Sequence, residues 1–311
     1  MKGKFICPPL SLSQAERRAN IICQVEDWFR SDAMSILLQA LGRGQAFTGE
    51  DITLQAADFF SKYDFRQGKE RAAIEENPTL NSKKAEFLQA YRDLGMVENT
   101  TPSIPNPDHI LVLGGANNAN FTRTLKAKAI CGLQEPPGTI AALSGFRVLN
   151  VAEREKMKPY SKGKTEFDVL SDIIATTFGL DTFHDRLFSN ENINKQACVR
   201  VFDKDYRGKT VEVYAAPSSD PARRANTRDA FAFFLKEKKV EPGQSLVFVS
   251  NSPYANYQFL ALADIAIKHN LFFDIIGDDS SFCSASLKVT AYLQEVKATS
   301  DCAKNFLNGT W

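Results

Sequence analysis

Beyond residue 108 the chain alternates between short apolar runs and helix-length stretches, and this alternation restricts its fold more than any other feature. The apolar runs are Ile110–Leu113, Thr139–Leu143, Thr210–Ala215, Ser245–Ser250 and Phe272–Ile276. Helix-like segments fall between them at Arg123–Ala129, Glu166–Phe178, Ala225–Leu235 and Tyr257–His269, and Leu287–Leu307 reads as a closing helix. Strands that alternate with helices form a parallel sheet covered on both faces. Residues 109–311 are therefore expected to be a Rossmann-like α/β domain. Residues 179–209, rich in Asn and charge, fit neither pattern and read as an insertion.

Residues 1–98 are different. Ser13-Gln-Ala-Glu16 is a capping box, and apolar residues follow it at helical spacing. Ser31, Thr48–Asp51 and Asn81-Ser82 mark further helix starts. An α-helical N-terminal region is expected, joined by a Pro-rich connector at residues 99–108.

Charge and cysteine usage narrow the function classes. The 38 Lys and Arg residues nearly balance the 37 Asp and Glu residues, which argues against a whole-surface nucleic-acid footprint. The six cysteines form no C-x-x-C pair, so no zinc site is predicted, and scattered single thiols suit a reducing compartment. The 23 phenylalanines fall mostly at helix or strand spacing and read as core. No signal-peptide pattern or membrane-length apolar stretch is present. The expectation is a soluble, cytoplasmic protein, with export lacking a cleaved signal left open.

Four polar turns follow strand-like runs, and in a parallel sheet they share the carboxyl edge where ligands bind. The first contains Gly114, Gly115 and Asn117, with Arg123 in the helix beyond. Its glycines allow close backbone approach, and Arg123 is a candidate partner for an anion. The second holds Ser144, Gly145 and Arg147, and Glu166 opens a downstream helix as the candidate general acid or base. The third is the Arg-rich entry to a helix starting near Asn226 and Thr227. The fourth carries Ser250, Asn251 and Tyr254, the last placed to contact a ring.

In order and spacing these turns resemble the YdcF/SanA/ElyC-like family of Rossmann-like domains, over about residues 109–280. Gly114-Gly115 with Arg123 matches that family's opening, Ser144-Gly145 its second turn, and Thr165-Glu166 the helix entry. Asn226-Thr227 echoes its third element and Ser250–Tyr254 its fourth. Two differences stand out: the third element ends Asp229-Ala230 rather than Glu-Asn, and no His-x-x-Arg follows Tyr254. The resemblance implies a small anionic or nucleotide-type ligand, adenosyl-containing in some members, with transferase or phosphoester hydrolase chemistry. It identifies no cofactor. The alternative is a non-catalytic interaction module on a degenerate Rossmann-like fold, with residues 1–98 as the partner surface.

Overall fold

The computed structural model describes residues 3–68, 74–98, 100–115, 119–131, 138–278 and 288–311. Its chain divides into two compact units: Met1–Thr100 with Ser252–Lys268 and Phe282–Trp311, and Thr101–Asn251 with His269–Ser281.

The first unit is helical. It contains α1 (Gln14–Arg30), α2 (Asp32–Ala40), α3 (Ile52–Ser61), the single turn α4 (Pro78–Asn81) and α5 (Lys84–Asp93). The Ser13 capping box is formed, and Ser31 caps α2 by accepting from the Met34 N–H. Two helices from far along the chain, here numbered α10 (Ser252–Lys268) and α11 (Val289–Asn308), belong to the same unit. Tyr292 of α11 stacks on Tyr91 at 5.2 Å, and Asn256 of α10 donates to the carbonyls of Gly3 and Leu94 at 3.1 and 3.0 Å. A single boundary at residues 99–108 therefore does not separate the two units. The buried faces of α10 and α11 find their partners among the first hundred residues, a pairing that no local pattern encodes.

The second unit is built on a seven-stranded sheet ordered β3-β4-β5-β2-β1-β6-β7. Its strands are β1 (His109–Leu113), β2 (Gly138–Ser144), β3 (Phe183–Phe188), β4 (Ala197–Phe202), β5 (Lys209–Ala215), β6 (Ser245–Asn251) and β7 (Phe272–Asp278). Strands β5, β2, β1, β6 and β7 are parallel, and their chain order across the sheet is that of a doubly wound Rossmann fold. On one face α6 (Ala119–Ile130) and α8 (Glu166–Phe178) bury Ala127, Leu170 and Ile174 against Ile110, Val112, Ile140 and Val247. On the other face α9 (Thr227–Lys238) sets Phe231 edge-on to Phe248 at 5.0 Å and Phe234 edge-on to Tyr214 at 5.3 Å. Neighbouring strand residues thus serve opposite faces, and the runs are apolar because both faces are covered. The phenylalanine-rich composition goes largely into this core and that of the helical unit.

Residues 179–209 extend the sheet by β3 and β4, which run antiparallel at its edge. Every residue of β3 is exposed, so the strand has no hydrophobic alternation for a sequence reading to detect. Arg200 holds the pair together. It forms a bidentate ion pair with Asp185 at 2.8 Å and lies 3.8 Å over the Phe183 ring.

Candidate functional site

Because β1, β2, β5 and β6 are parallel, Gly115, Ser144, the Asn226 helix start and Ser250 all fall at the carboxyl edge of the sheet. The side chains there form two distinct arrangements.

The first lies at the topological switch point between β1 and β6, where doubly wound folds usually receive their ligands. Here Arg123 fills the position. It is 2% exposed, and its Nε donates to Asn251 Oδ1 at 2.8 Å. Its Nη1 donates to the carbonyls of Leu113 and Gly114 at 2.5 and 3.0 Å. Both glycines sit close in this packing, Gly114 against backbone and Gly115 against a side-chain end. A Cβ on Gly115 would lie 3.0 Å from Arg123 Nη1, and one on Gly114 would lie 2.5 Å from the Leu143 carbonyl oxygen. Ser250 and Asn251 are fully buried. The expected anion partner, Arg123, is thus an internal tie between strand ends, since backbone carbonyls at a strand terminus need donors when they are buried. Asn117 lies outside the described residues.

Two other expectations change. Strand β6 runs directly into α10 at Ser252, so Val249–Tyr254 is not a loop; Tyr254 sits in the first turn of α10, in the helical unit, with its ring 6.2 Å from that of Tyr257. Pro253 is compatible with this position because the first helical turn needs no N–H from it. Asn226 is the N-cap of α9: its Oδ1 accepts from the Asp229 N–H at 3.0 Å, and Asp229 returns the bond to the Asn226 N–H at 2.9 Å. Thr227 is the first residue of that helix. Arg223 is also engaged, donating to Asp229 Oδ2 at 2.7 Å.

The second arrangement is a shallow hollow above the ends of β2 and β5, with an empty volume of about 260 Å³. Gly145, Phe146, Arg147, Glu166, Ala216, Arg224 and Ala225 line it, with Ile193 and Asn194 from a 3-10 turn between β3 and β4. Ser144 stands beside it at the end of β2, its hydroxyl 3.4 Å from the Gly145 carbonyl. Arg147 organises the site. Its Nε donates to Glu166 Oε1 at 2.7 Å, while Nη1 and Nη2 grip both oxygens of Glu153 at 3.0 and 2.8 Å. Glu153 is held in place by α7 (Val151–Met157), where it completes a capping box with Asn150.

The two carboxylates respond differently to this environment. Burial pushes the Glu166 carboxyl above its ordinary value, outweighing the opposing pull of Arg147 and Arg224. Burial acts on Glu153 in the same direction, but there the bonds from Arg147 and the Asn150 N–H prevail and hold it low. Arg147 is raised: burial works against its charge, and the two carboxylates outweigh burial. Two carboxyls of unlike acidity bridged by one guanidinium form an arrangement in which one can carry a proton while the other stays ionised.

Of the predicted residues, Gly145, Arg147 and Glu166 come together in the hollow, and Gly114, Gly115, Arg123 and Asn251 come together at the switch point. Glu153 was missed. Its signal was available in Asn150-Val-Ala-Glu153, a capping-box spacing that marks a short helix.

These features define an α/β protein of Rossmann strand order with a buried, hydrogen-bonded arginine at its switch point and a polar hollow over the neighbouring strands. Residues 13–95 match the model of the Rv3785 N-terminal domain. The chain is similar to the uncharacterized protein Rv3785 of Mycobacterium tuberculosis, with 23% identity over 301 residues, covering 88% of this chain and 84% of the relative. The uncharacterized protein Mb3814 of Mycobacterium bovis aligns with the same identity and coverage. No solved structure matches the chain. These matches overturn the resemblance to the YdcF/SanA/ElyC-like family, because the family model and the relatives found are those of Rv3785. That resemblance rested on polar turns in a certain order, and any parallel sheet of this strand order produces such turns at its carboxyl edge. Among the described residues, no helix is long and apolar enough to cross a membrane.

Proposed function

We propose that the protein binds a small anionic ligand in the hollow above β2 and β5, with Arg224 attracting the anion and Glu166 handling a proton. The observation that carries this reading is the presence in one hollow of an arginine and of a carboxyl whose ionisation burial disfavours. A carboxyl whose charge burial disfavours is the kind that general acid–base chemistry uses. The hollow is shallow and open to solvent, so a ligand would rest its anionic head group, such as the phosphate of a nucleotide or sugar phosphate, at the surface of the hollow with the remainder lying outside. The chemistry that fits is protonation of a leaving oxygen by Glu166, as in phosphoester hydrolysis.

Thermal-shift measurements with inorganic phosphate, AMP and a hexose phosphate test the binding, because a ligand that binds only the folded state raises the melting temperature. The expected result is a rise with all three that Arg224→Ala removes. No rise with any of them contradicts the reading. Release of inorganic phosphate from the hexose phosphate, where water supplies the entering oxygen and the departing alkoxide needs a proton, tests the chemistry: it should be lost in Glu166→Gln.

A further inference from the structure

Strand β3 ends the sheet: among the described residues its one strand neighbour is β4, and every residue of it is exposed. Phe183, Leu187, Phe188 and Ile193 are large exposed apolar side chains within this short stretch, Leu187 the most open of them at 61%. An open edge presents unpaired backbone groups, and proteins usually guard it with Lys, Pro, a bulge or a covering segment. Phe183–Phe188 contains no Lys or Pro, and its register with β4 runs unbroken by a bulge. Its charges are held inward, Asp185 by Arg200 of β4 at 2.8 Å and Arg186 by Glu237 of α9 at 2.6 Å.

The hydrogen-bond phase of the edge follows from one contact. The Asp203 N–H donates to the Thr182 carbonyl at 3.1 Å, and these two residues continue the β3–β4 register as opposed partners. Bonded and non-bonded pairs alternate along an antiparallel ladder, so Phe183, Asp185 and Leu187 aim their N–H and C=O groups at the open edge. A second copy of the chain can meet those groups by antiparallel pairing about a two-fold axis. The position of the axis decides which side chains oppose one another. On Asp185 it sets two carboxylates together, on Arg186 two guanidiniums, and on His184 it sets Phe183 against a carboxylate. On Leu187 it sets leucine on leucine, each Arg186 opposite the second copy's Phe188, and each Asp185 opposite the second copy's Ser189. Arg186 already lies 5.4 Å over its own Phe188 ring, so the contact across the axis extends an existing stack. The Ser189 hydroxyl is a donor for the Asp185 carboxylate. We propose that the protein forms a symmetric dimer in which β3 pairs with β3 of a second copy, centred on Leu187, and the two sheets become one.

Sedimentation equilibrium of the full chain over a wide concentration range tests this, with a dimer expected at the upper end. Leu187→Lys sets two ammonium groups together at the axis, and the exposed position tolerates the change within a single chain. The expected result is a monomer at every concentration with an unchanged circular dichroism spectrum. Leu187→Cys reads the register, because opposed Cα atoms of a hydrogen-bonded pair lie about 5.5 Å apart, within reach of a disulfide. It is made in a Cys23→Ser background, which removes an exposed native thiol and serves alone as the blank. Under mild oxidation Leu187→Cys should give a covalent dimer, while Phe183→Cys in the same background, placed away from its own copy, should not. A wild type that stays monomeric overturns the dimer and leaves the edge to an extended segment of another protein. Leu187→Lys that still dimerises, or Phe183→Cys that cross-links as readily as Leu187→Cys, overturns it equally.

Discussion

Arg123 Nε lies 2.8 Å from Asn251 Oδ1, and this bond joins the helix after β1 to the last residue of β6. The same guanidinium serves the carbonyls that end β1. A residue type that often marks an anion site is here a structural tie across the switch point.

Removing that tie leaves buried acceptors without their donor. Arg123→Ala is expected to destabilise the protein by about 2–4 kcal/mol, since each buried unsatisfied group costs about 1–3 kcal/mol. Urea unfolding measures this as a lowered midpoint with an unchanged slope. A loss below about 1 kcal/mol would show that the carbonyls find other donors.

The two glycines of the first turn should differ in tolerance. A methyl group on Gly114 meets the fixed backbone oxygen of Leu143, whereas one on Gly115 meets the movable end of the Arg123 side chain. Gly114→Ala is expected to lower the melting temperature clearly more than Gly115→Ala, within the about 1–3 kcal/mol typical of forced overpacking. Equal effects would contradict the packing argument.

Asp229 links stability to pH. Burial alone would raise its carboxyl, but the bonds from Arg223, the Asn226 N–H and Ser219 outweigh burial and lower it from 3.8. A carboxyl lowered on folding contributes stability above its unfolded value and loses it as pH falls through the folded one. The stability difference between wild type and Asp229→Asn should therefore be constant at neutral pH and shrink as pH falls below about 4. Denaturant titrations at several pH values check this, and a gap that widens in acid would reverse the sign.

Thiol reactivity should follow burial. Cys198 on β4 is buried and its thiol is pushed up to about 11 by burial and by Asp185, whereas Cys23 on α1 is exposed. Mass spectrometry after brief treatment with a disulfide reagent should find Cys23 labelled and Cys198 untouched until the protein unfolds. Early labelling of Cys198 would show that the β3–β4 edge opens readily.

Five parallel strands and the helices between them were legible because burial on both faces leaves continuous apolar runs. The helix starts at Ser13 and Ser31 were legible because capping is a contact between near neighbours. Strand β3 was not, since an exposed edge strand has no apolar periodicity, and β4, though largely buried, pairs antiparallel with it outside the strand–helix alternation. The site was legible only in part. Arg147 and Glu166 stand out as charged residues beside turns, but their engagement with Glu153 depends on α7, a helix of a single capping box and few buried residues.

Local chemistry along the chain was enough to establish the strand–helix order, the capped helix starts and the polar turns at one edge of the sheet, because each depends on residues a few positions apart. Which arginine beside those turns is bonded internally and which lines a hollow depended on contacts between residues far apart in sequence. Arg123 meets Asn251 across 128 positions, and Arg147 meets Glu166 across 19. An arginine beside a glycine turn has the same sequence signature whether its donors meet a ligand or a neighbouring strand. The folded chain supplied the buried carbonyls that captured one guanidinium and the pair of carboxylates that positioned the other.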